Sequence, residues 1–319
     1  MMHKGGVIVS TFVLFFEELV VLYGIAVLGY LAKKKRILNQ AADQALTQIL
    51  LYITLPCLIL FSMNLSFSAE YLRQFGWLIL LSAYALTTAC LLARRLSRIS
   101  GLPTIRQGVY EGLIIFGNQG FIGYAISYLL FAEQGVLYVA VFNLLYLFLI
   151  WTYGIYVIAR KKNPLSWPQI LLNPGVLATS LGLLVFVSPF SWPEPISIIL
   201  EDVGLTTIPL SMILIGSLVG ELRFSEIGRL LSHRHIWLAS AAKLIVIPAL
   251  LIPFGWLDVP PALLIIAVLV TASPSAPTIS LYAQKFGGDV RFSSMAVFLS
   301  TALSMLTIPL LYTVIRWLF

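Results

Sequence analysis

Charged side chains are scarce in this sequence, where Asp, Glu, Lys and Arg together make up 10% of 319 residues. Apolar side chains make up 60%, a share far above that of soluble globular domains. Because there are only two cysteines and three histidines, neither a disulfide framework nor a metal site is indicated, and we expect no cofactor. No phosphate-binding glycine loop precedes a Lys-Ser or Lys-Thr pair, so ATP-driven pumping is not supported. Most of the chain is therefore expected to lie in lipid.

Apolar runs long enough to span a bilayer recur along the whole chain. A helix needs about 20 mostly apolar residues to cross the hydrocarbon core, and these runs are too long and too uniform for barrel strands. The sequence therefore predicts an all-α polytopic membrane protein with ten transmembrane helices and no attached soluble domain. The predicted spans are Val7–Leu31, Ala45–Ser62, Phe75–Leu92, Val109–Phe131, Gly135–Ala159, Ile170–Val187, Ile196–Val219, Ile236–Leu257, Ala262–Gln284 and Ser294–Phe319.

Lysine and arginine are distributed unevenly between the predicted loops. Loops after odd-numbered helices carry basic clusters, including Lys33–Arg36 and Arg94–Arg106, whereas loops after even-numbered helices contain only Arg73. Because basic loops stay on the cytoplasmic side, we expect the odd loops inside, both termini outside, and the protein in the cytoplasmic (inner or plasma) membrane. The same charges account for the net charge of +7 without a nucleic-acid partner.

Two segments of the sequence resemble each other at a distance of five spans. The second span reads LPCLILFSMNL from Leu55, and the seventh reads IPLSMILIGSL from Ile208. Because five is odd, the two copies must face opposite ways across the bilayer, as in inverted-repeat transporters. We therefore predict two inverted five-helix repeats, residues 1–163 and residues 164–319.

Polar, Gly and Pro residues interrupt the fourth and ninth spans near their middles. The fourth reads GNQGFIG over Gly117–Gly123, and the ninth reads TASPSAPT over Thr271–Thr278. Glycine costs about 1 kcal/mol and proline about 3 kcal/mol in a helix interior, so both helices should unwind where backbone is buried in protein or lines a watery cavity. Two half-helix N-termini meeting there would each favour an anion by about 0.3 to 2 kcal/mol. The candidate binding residues are Gly117, Asn118, Gln119, Gly120, Ser273, Pro274, Ser275, Pro277 and Thr278.

Several of these features have alternative interpretations. The small residues of the two breaks could serve helix packing alone. Lys243, several residues inside the eighth span, either extends back to the interface or acts as a counter-ion on the substrate path. Glu17 and Glu18 are placed near the outer end of the first span, and Glu111 and Glu201 also lie toward span ends, as interfacial residues rather than proton carriers. An intramembrane enzyme built on Glu17 and Glu18 would need catalytic partners at membrane depth, which the spans do not supply.

Six motifs follow one another along the chain: LPCLILF, GNQGFIG, NPGVLATSLG, IPLSMILIGSL, KLIVIP and SPSAPTISLYAQKFGGD. Their order resembles the auxin efflux carrier family, and the resemblance covers essentially the full chain. It implies a ten-helix fold like that of bile-acid sodium symporters, with helices 1, 2, 6 and 7 as a dimerising scaffold and helices 3–5 and 8–10 as a moving transport unit. It also implies transport of organic anions. Many members carry asparagine in the second break where this chain has Thr278 beside an extra Pro277, so Asn118 is the stronger site candidate.

These observations predict a secondary carrier that moves a small organic anion, in particular a carboxylate, by alternating access, with its site where broken helices 4 and 9 cross. The expected partners are the anion, the lipid bilayer and a second copy of the chain. The main alternative is a sodium- or proton-coupled symporter of the bile-acid type, which would need a buried carboxylate or a cluster of oxygen ligands. The identity of the anion and the coupling are left open at this point.

Overall fold

The architecture comes from a computed structural model that describes residues 17, 20–64, 69–159, 172, 174–188, 191–220 and 232–319. Glu18, most of the first predicted span before it and the basic residues 160–162 lie outside the described residues. The described part of the chain forms helices and contains no β-strand. The helices are α1 (residues 20–34), α2 (Gln40–Ser62), α3 (Ala69–Ile99), α4 (Thr104–Ile115), α5 (residues 119–131), α6 (residues 133–159), α7 (Pro174–Val187), α8 (Glu194–Gly220), α9 (Arg234–Trp256), α10 (Pro261–Thr271), α11 (Pro277–Phe286) and α12 (Val290–Leu318).

Six helical stretches of the described residues are long and apolar enough to cross a membrane. They are α2, Glu70–Ile99 of α3, Gln119–Ala159, α8, α9 and α12, and two shorter apolar helices are α7 and α10. The all-helical class predicted from the sequence, with several helices suited to a bilayer, is confirmed. The division into ten spans and two inverted repeats stays a prediction.

The stretch Gln119–Ala159 is too long to be a single membrane span. Its 41 residues would cover about 60 Å at 1.5 Å per residue, twice the hydrocarbon thickness. The backbone leaves the helical conformation at Ala132, where φ is +48°. Gly135 permits the tight packing that follows, because a Cβ atom on it would lie 2.0 Å from the Ser127 carbonyl oxygen. α5 and α6 are therefore separate helices, and the break falls between the predicted fourth and fifth spans.

α10 forms part of the core on every side. Each residue from Leu263 to Thr271 is buried, and the helix packs against α3, α5, α9 and α12. This explains why its sequence, PALLIIAVLVT, is apolar all round rather than amphipathic. Because lipid is as apolar as leucine, close packing of these side chains, and not their removal from water, stabilises the helix in this position.

Two ion pairs join helices near their ends. Asp43 of α2 is buried, accepts a hydrogen bond from Ser217 of α8 at 2.5 Å, and pairs with Lys33 of α1. Arg106 of α4 donates to Asp289, the N-cap of α12, at 2.7 Å. The first pair joins three helices that the family resemblance assigns to the scaffold, and the second joins two that it assigns to the transport unit.

Candidate functional site

Both interruptions predicted from the sequence are present. α4 ends at Ile115, Phe116 is extended, and α5 begins with a π-helical turn at Gln119. α10 is followed by residues 272–276, which are not helical, and α11 begins with Pro277 in its first turn. Proline is favourable at that position because its missing N–H would have no helical acceptor. The first interruption is shorter than predicted, since the glycines after Gln119 fit within the π-helical turn.

The two interruptions cross and are joined by an antiparallel backbone bridge. The N–H of Asn118 donates to the carbonyl oxygen of Pro274 at 2.6 Å. The N–H of Ala276 donates in turn to the carbonyl oxygen of Phe116 at 2.9 Å. These bonds satisfy backbone groups that unwinding would otherwise leave unpaired at membrane depth. Four helix ends meet at this crossing: the C-termini of α4 and α10 and the N-termini of α5 and α11.

Side chains attach the crossing to the surrounding helices. The Tyr146 hydroxyl of α6 donates to the carbonyl oxygen of Gly117 at 2.6 Å. The Ser275 hydroxyl donates to the Leu113 carbonyl oxygen at 2.8 Å, and the Ser275 N–H donates to Oγ of Ser300 at 3.1 Å. The crossing is therefore anchored to α6, α4 and α12.

Lys243 of α9 reaches the crossing. The residue is 1% exposed, and its Nζ lies 3.4 Å from the carbonyl oxygen of Ile115, the last residue of α4. Lys243 therefore does not extend back to the interface, which removes one of the two alternatives left by the sequence. Within the part of the chain that the structure describes, no Asp or Glu forms an ion pair with it. A buried ammonium group without a carboxylate partner is costly in lipid and is a candidate for function.

Lys243 and the second interruption both pack closely against Gly117, and this position has no room for a side chain. A Cβ atom at this position would lie 2.8 Å from Lys243 Nζ and 2.9 Å from the Ser273 carbonyl oxygen. Because packed interiors do not admit such short contacts, a side chain here would displace either the ammonium group or the second interruption. The ammonium group therefore lies beside the backbone of both interruptions.

Comparison with known proteins identifies the family. A family model described as membrane transport protein matches residues 14–169 and 163–312, nearly the whole chain. The chain belongs to this family. It is the auxin efflux carrier family that the motifs indicate, and the protein is accordingly a membrane transporter. A relative named Uncharacterized transporter MJ1031, from Methanocaldococcus jannaschii, is 24% identical over 300 residues that cover 90% of this chain and 94% of the relative.

The structure places all the predicted binding residues of this transporter at the crossing. They lie in the two interruptions or in the first turns of α5 and α11. The buried ones are Gly117, Asn118, Gln119, Ser273, Pro274 and Ser275, and the half-buried ones are Gly120, Pro277 and Thr278. Lys243 joins them, so residues from three separate parts of the sequence meet at one place. Their contact with a substrate stays a prediction.

Three buried oxygen atoms of residues at the crossing have no hydrogen-bond partner among the described residues. They are Gln119 Oε1, Thr271 Oγ1 and Ser273 Oγ. Gln119 and Ser273 border the same space, because a Cβ atom on Gly123 would lie 3.6 Å from both Gln119 Cβ and Ser273 Oγ. Since buried polar groups in proteins are nearly always hydrogen-bonded, these atoms are suited to contact a polar ligand or water at the crossing.

Sequence reasoning missed two other buried hydroxyl groups near the site. Thr54 of α2 and Thr207 of α8 are buried, and their hydroxyls have no partner within the described residues. Each precedes a proline by two positions, Pro56 and Pro209, in the two segments that resemble each other. This repeated Thr-x-Pro is the signal that could have indicated them. α8 packs against both the turn that contains Thr54 and the start of α5, so this face of the site is formed by predicted scaffold helices.

None of the described contacts of Glu111 and Glu17, two acidic residues considered in the sequence analysis, is with a residue of the crossing. Glu111 accepts a hydrogen bond from the Tyr153 hydroxyl and lies 3.6 Å from Nε of Arg94. Glu17 is exposed, and Glu18 lies outside the described residues. No group of three or more His, Cys, Asp and Glu side chains that could hold a metal occurs within the described residues.

Proposed function

We propose that this transporter is a secondary carrier of a small organic anion, specifically a carboxylate, and that the anion binds at the crossing. The observation that carries the proposal is Lys243, a buried ammonium group beside both interruptions with no carboxylate partner in the described residues. Such a charge is tolerated in lipid when a bound counter-ion or a functional cavity compensates it. An anionic substrate supplies that compensation.

The helix ends at the crossing leave this ammonium group as the net charge of the site. A helix N-terminus carries about +0.5 elementary charge and a C-terminus about −0.5. Because two N-termini and two C-termini meet there, their partial charges cancel to first order. The contact with the Ile115 carbonyl oxygen places the ammonium group at the end of α4, one of the four helix ends already counted. The remaining positive charge favours an anion over a cation.

The hydrogen-bonding groups at the crossing suit a carboxylate. At the start of α5 the N–H groups of Gln119 and Gly120 have no acceptor within the helix, and in α11, which begins with Pro277, the N–H of Thr278 is in the same position. The Asn118 amide can add two donors, and the Ser273 hydroxyl can add one. A carboxylate accepts several such bonds at once, so the expected substrate presents one carboxylate to Lys243 and the two helix N-termini.

The proposal includes the arrangement of the spans. Taking α4 with α5, and α10 with α11, as two interrupted spans yields ten spans in the predicted order. Residues 1–163 and 164–319 then form the two inverted repeats, with helices 1, 2, 6 and 7 as a dimerising scaffold in the cytoplasmic membrane and the other helices moving against it. The motif resemblance and the family assignment support this arrangement.

Sodium coupling is the second candidate for the mechanism. It is favoured by the unpartnered oxygen atoms of Gln119, Thr271 and Ser273, since Na⁺ prefers oxygen ligands of this kind, as other hard cations do. A thermal stabilisation by carboxylates that requires Na⁺ and is absent in K⁺ would support it.

A thermal-shift screen of the purified transporter against mono- and dicarboxylates tests the proposed function. A ligand that binds only the folded state adds about 2.7 kcal/mol at 100 times its Kd, so a substrate should raise the unfolding midpoint. Lys243→Met should fold, because it removes an unpaired buried charge, and should lose this response. Lys285→Met is the control, since Lys285 is an exposed residue near the end of α11. The proposal fails if no carboxylate stabilises the parent or if Lys243→Met responds as the parent does.

A further inference from the structure

A cavity of about 410 Å³ lies between α3, α4 and α6, and it is lined by none of the residues of the crossing. Its polar lining includes Arg94 and Arg98 of α3, Gln107 and Glu111 of α4, and Tyr153 of α6. The proposed transport mechanism assigns no role to these residues. A cavity with two guanidinium groups is suited to an anionic group of planar or tetrahedral geometry.

The charges in this cavity leave one guanidinium group uncompensated. Glu111 accepts a hydrogen bond from Tyr153 and lies 3.6 Å from Nε of Arg94. Arg94 also lies over the Tyr153 ring, 5.3 Å from its centroid. Arg98 lines the same cavity but forms no ion pair within the described residues. With two guanidinium groups against one carboxylate, the cavity carries net positive charge, and Arg98 is its exposed guanidinium group without an ion pair among the described residues.

The spacing of charges along α3 gives the depth of the cavity in the bilayer. Residues 74–93 separate Arg73 from Arg94 and contain no charged side chain. At 1.5 Å per residue these 20 residues cover about 30 Å, the thickness of a hydrocarbon core. Arg94 and Arg98 therefore lie at the level of the phosphate groups of one leaflet, which is the leaflet facing the basic loops.

The exposed face of α3 changes from apolar to basic at this level. Leu91, Arg94 and Arg98 follow one another at spacings of three and four residues, so they share one side of the helix. Leu91 is 64% exposed, and Tyr156 at the cavity wall is 42% exposed. The apolar surface of α3 faces the membrane core, and the basic cavity lies beside it at the headgroup level. These two features match the acyl chains and the phosphate headgroup of a phospholipid.

We propose that this cavity binds the headgroup of an anionic glycerophospholipid, with its phosphodiester on Arg98 and Arg94 and its acyl chains along Leu91. Basic pockets between membrane helices are the kind of site that recognises such headgroups. Glu111, already paired with Arg94, does not offer a free carboxylate to the amine of a zwitterionic lipid. The inference is independent of which anion is transported.

Native mass spectrometry of the detergent-purified transporter tests this site. The protein is titrated with phosphatidylglycerol and with phosphatidylcholine of identical acyl chains, and bound lipid is counted. Phosphatidylglycerol should bind the parent more tightly than phosphatidylcholine. Arg98→Gln should weaken phosphatidylglycerol binding about fivefold, the equivalent of about 1 kcal/mol per arginine at a membrane surface. Arg98→Lys retains the charge but not the planar guanidinium group, so its affinity for phosphatidylglycerol should lie between those of the parent and Arg98→Gln.

Arg95→Gln is the matched control, because Arg95 is an exposed neighbour on the same helix that does not line the cavity. It should change phosphatidylglycerol binding less than twofold. Three outcomes would overturn the proposal: an equal loss in Arg95→Gln and Arg98→Gln, equal binding of the two lipids by the parent, or full displacement of phosphatidylglycerol by millimolar glycerol phosphate. The last outcome would indicate a site for soluble phosphate esters. Size-exclusion profiles establish that each variant is folded before it is compared.

Discussion

Asn118 is attached to the second interruption through its backbone, which leaves its side chain open to test. Its N–H donates to the Pro274 carbonyl oxygen, and this bond does not depend on the side chain. The residue is 6% exposed, so charge placed there is poorly screened. Substitutions at Asn118 therefore probe ligand chemistry at the crossing while the backbone bridge is retained.

Asn118→Asp should weaken carboxylate binding much more than Asn118→Ser, by tenfold or more for about 1.4 kcal/mol of repulsion. The aspartate keeps the size of the side chain but exchanges amide donors for a negative charge. Ligand affinity of both variants is measured by thermal shift or calorimetry, after their size-exclusion profiles are compared. Equal or tighter carboxylate binding by the aspartate variant would contradict an anion site here and would favour a cation.

The direction of the Lys243 side chain could not be predicted from the sequence. A lysine several residues inside a span can extend toward water or toward the protein interior, because its flexible stem permits either course. Packing against Gly117 and the end of α4 decides between them, and Gly117 lies 126 positions earlier in the chain. Tyr146 and Ser300 also contact the crossing from distant parts of the chain, so their role in supporting it could not be predicted from the residues around them.

Pro274 and Pro277 are expected to maintain the second interruption. Replacing both with alanine removes the two residues that oppose a continuous helix, so α10 and α11 should become more continuous. The double variant should unfold at the same temperature as the parent or higher, yet its transport of the carboxylate found by the screen should be abolished. Transport into proteoliposomes at the parental rate would show that transport does not need an interruption enforced by these prolines.

Asp289 has two roles at the start of α12. Its carboxylate accepts a hydrogen bond from the Phe292 N–H at 2.9 Å and pairs with Arg106 at 2.7 Å. Partial burial alone would raise the pKa of Asp289, but the bonds from Phe292 and Arg106 outweigh burial and hold that pKa below its usual value. Because the folded-state pKa is lowered, the carboxylate stabilises the fold at neutral pH, and the stabilisation is lost as pH falls through that pKa.

Asp289→Asn should therefore lower the thermal midpoint at pH 7. Asparagine remains a good N-cap, so the loss reports the ion pair with Arg106, which for a partly exposed pair is roughly 0.2 to 1 kcal/mol. The difference from the parent should narrow below about pH 4, where the aspartate itself takes up a proton. Arg106→Gln should show the same pH dependence. A difference that stays constant as pH falls from 7 through the lowered pKa of Asp289 would assign the effect to something other than the carboxylate.

The positions of the interruptions were predictable, because clusters of Gly and Pro oppose helix formation wherever the chain places them. The break at Ala132 falls between the predicted fourth and fifth spans, but no cluster of Gly and Pro marks its position. Alanine favours helix more than any other residue, yet Ala132 has a positive φ, and Gly135 packs closely on the preceding turn. The π-helical turn at the start of α5, which contacts α8 and α10, likewise had no signal in the sequence.

The orientation of the whole molecule can be tested by labelling. In a background with Cys57 and Cys90 replaced by serine, one new cysteine is placed between Lys33 and Arg36 and another beside Arg73. An impermeant thiol reagent applied to intact cells should react near Arg73 and leave the first position unlabelled, because basic loops remain in the cytoplasm. The reverse pattern would contradict the predicted orientation. Labelling after the membrane is permeabilised controls for access to each site.

The two interruptions are joined at the crossing by hydrogen bonds between backbone peptide groups, which do not depend on side-chain identity. With the substrate at the crossing, as proposed, exchanging Asn118 or Ser273 would alter which substrate is recognised and would leave the backbone hydrogen bonds between the two interruptions in place. The exception is Gly117, where no larger residue fits beside Lys243. On the proposed function, transporters of this fold could therefore change substrate through a few exchanges at the crossing and keep the backbone bonds that join the two interruptions.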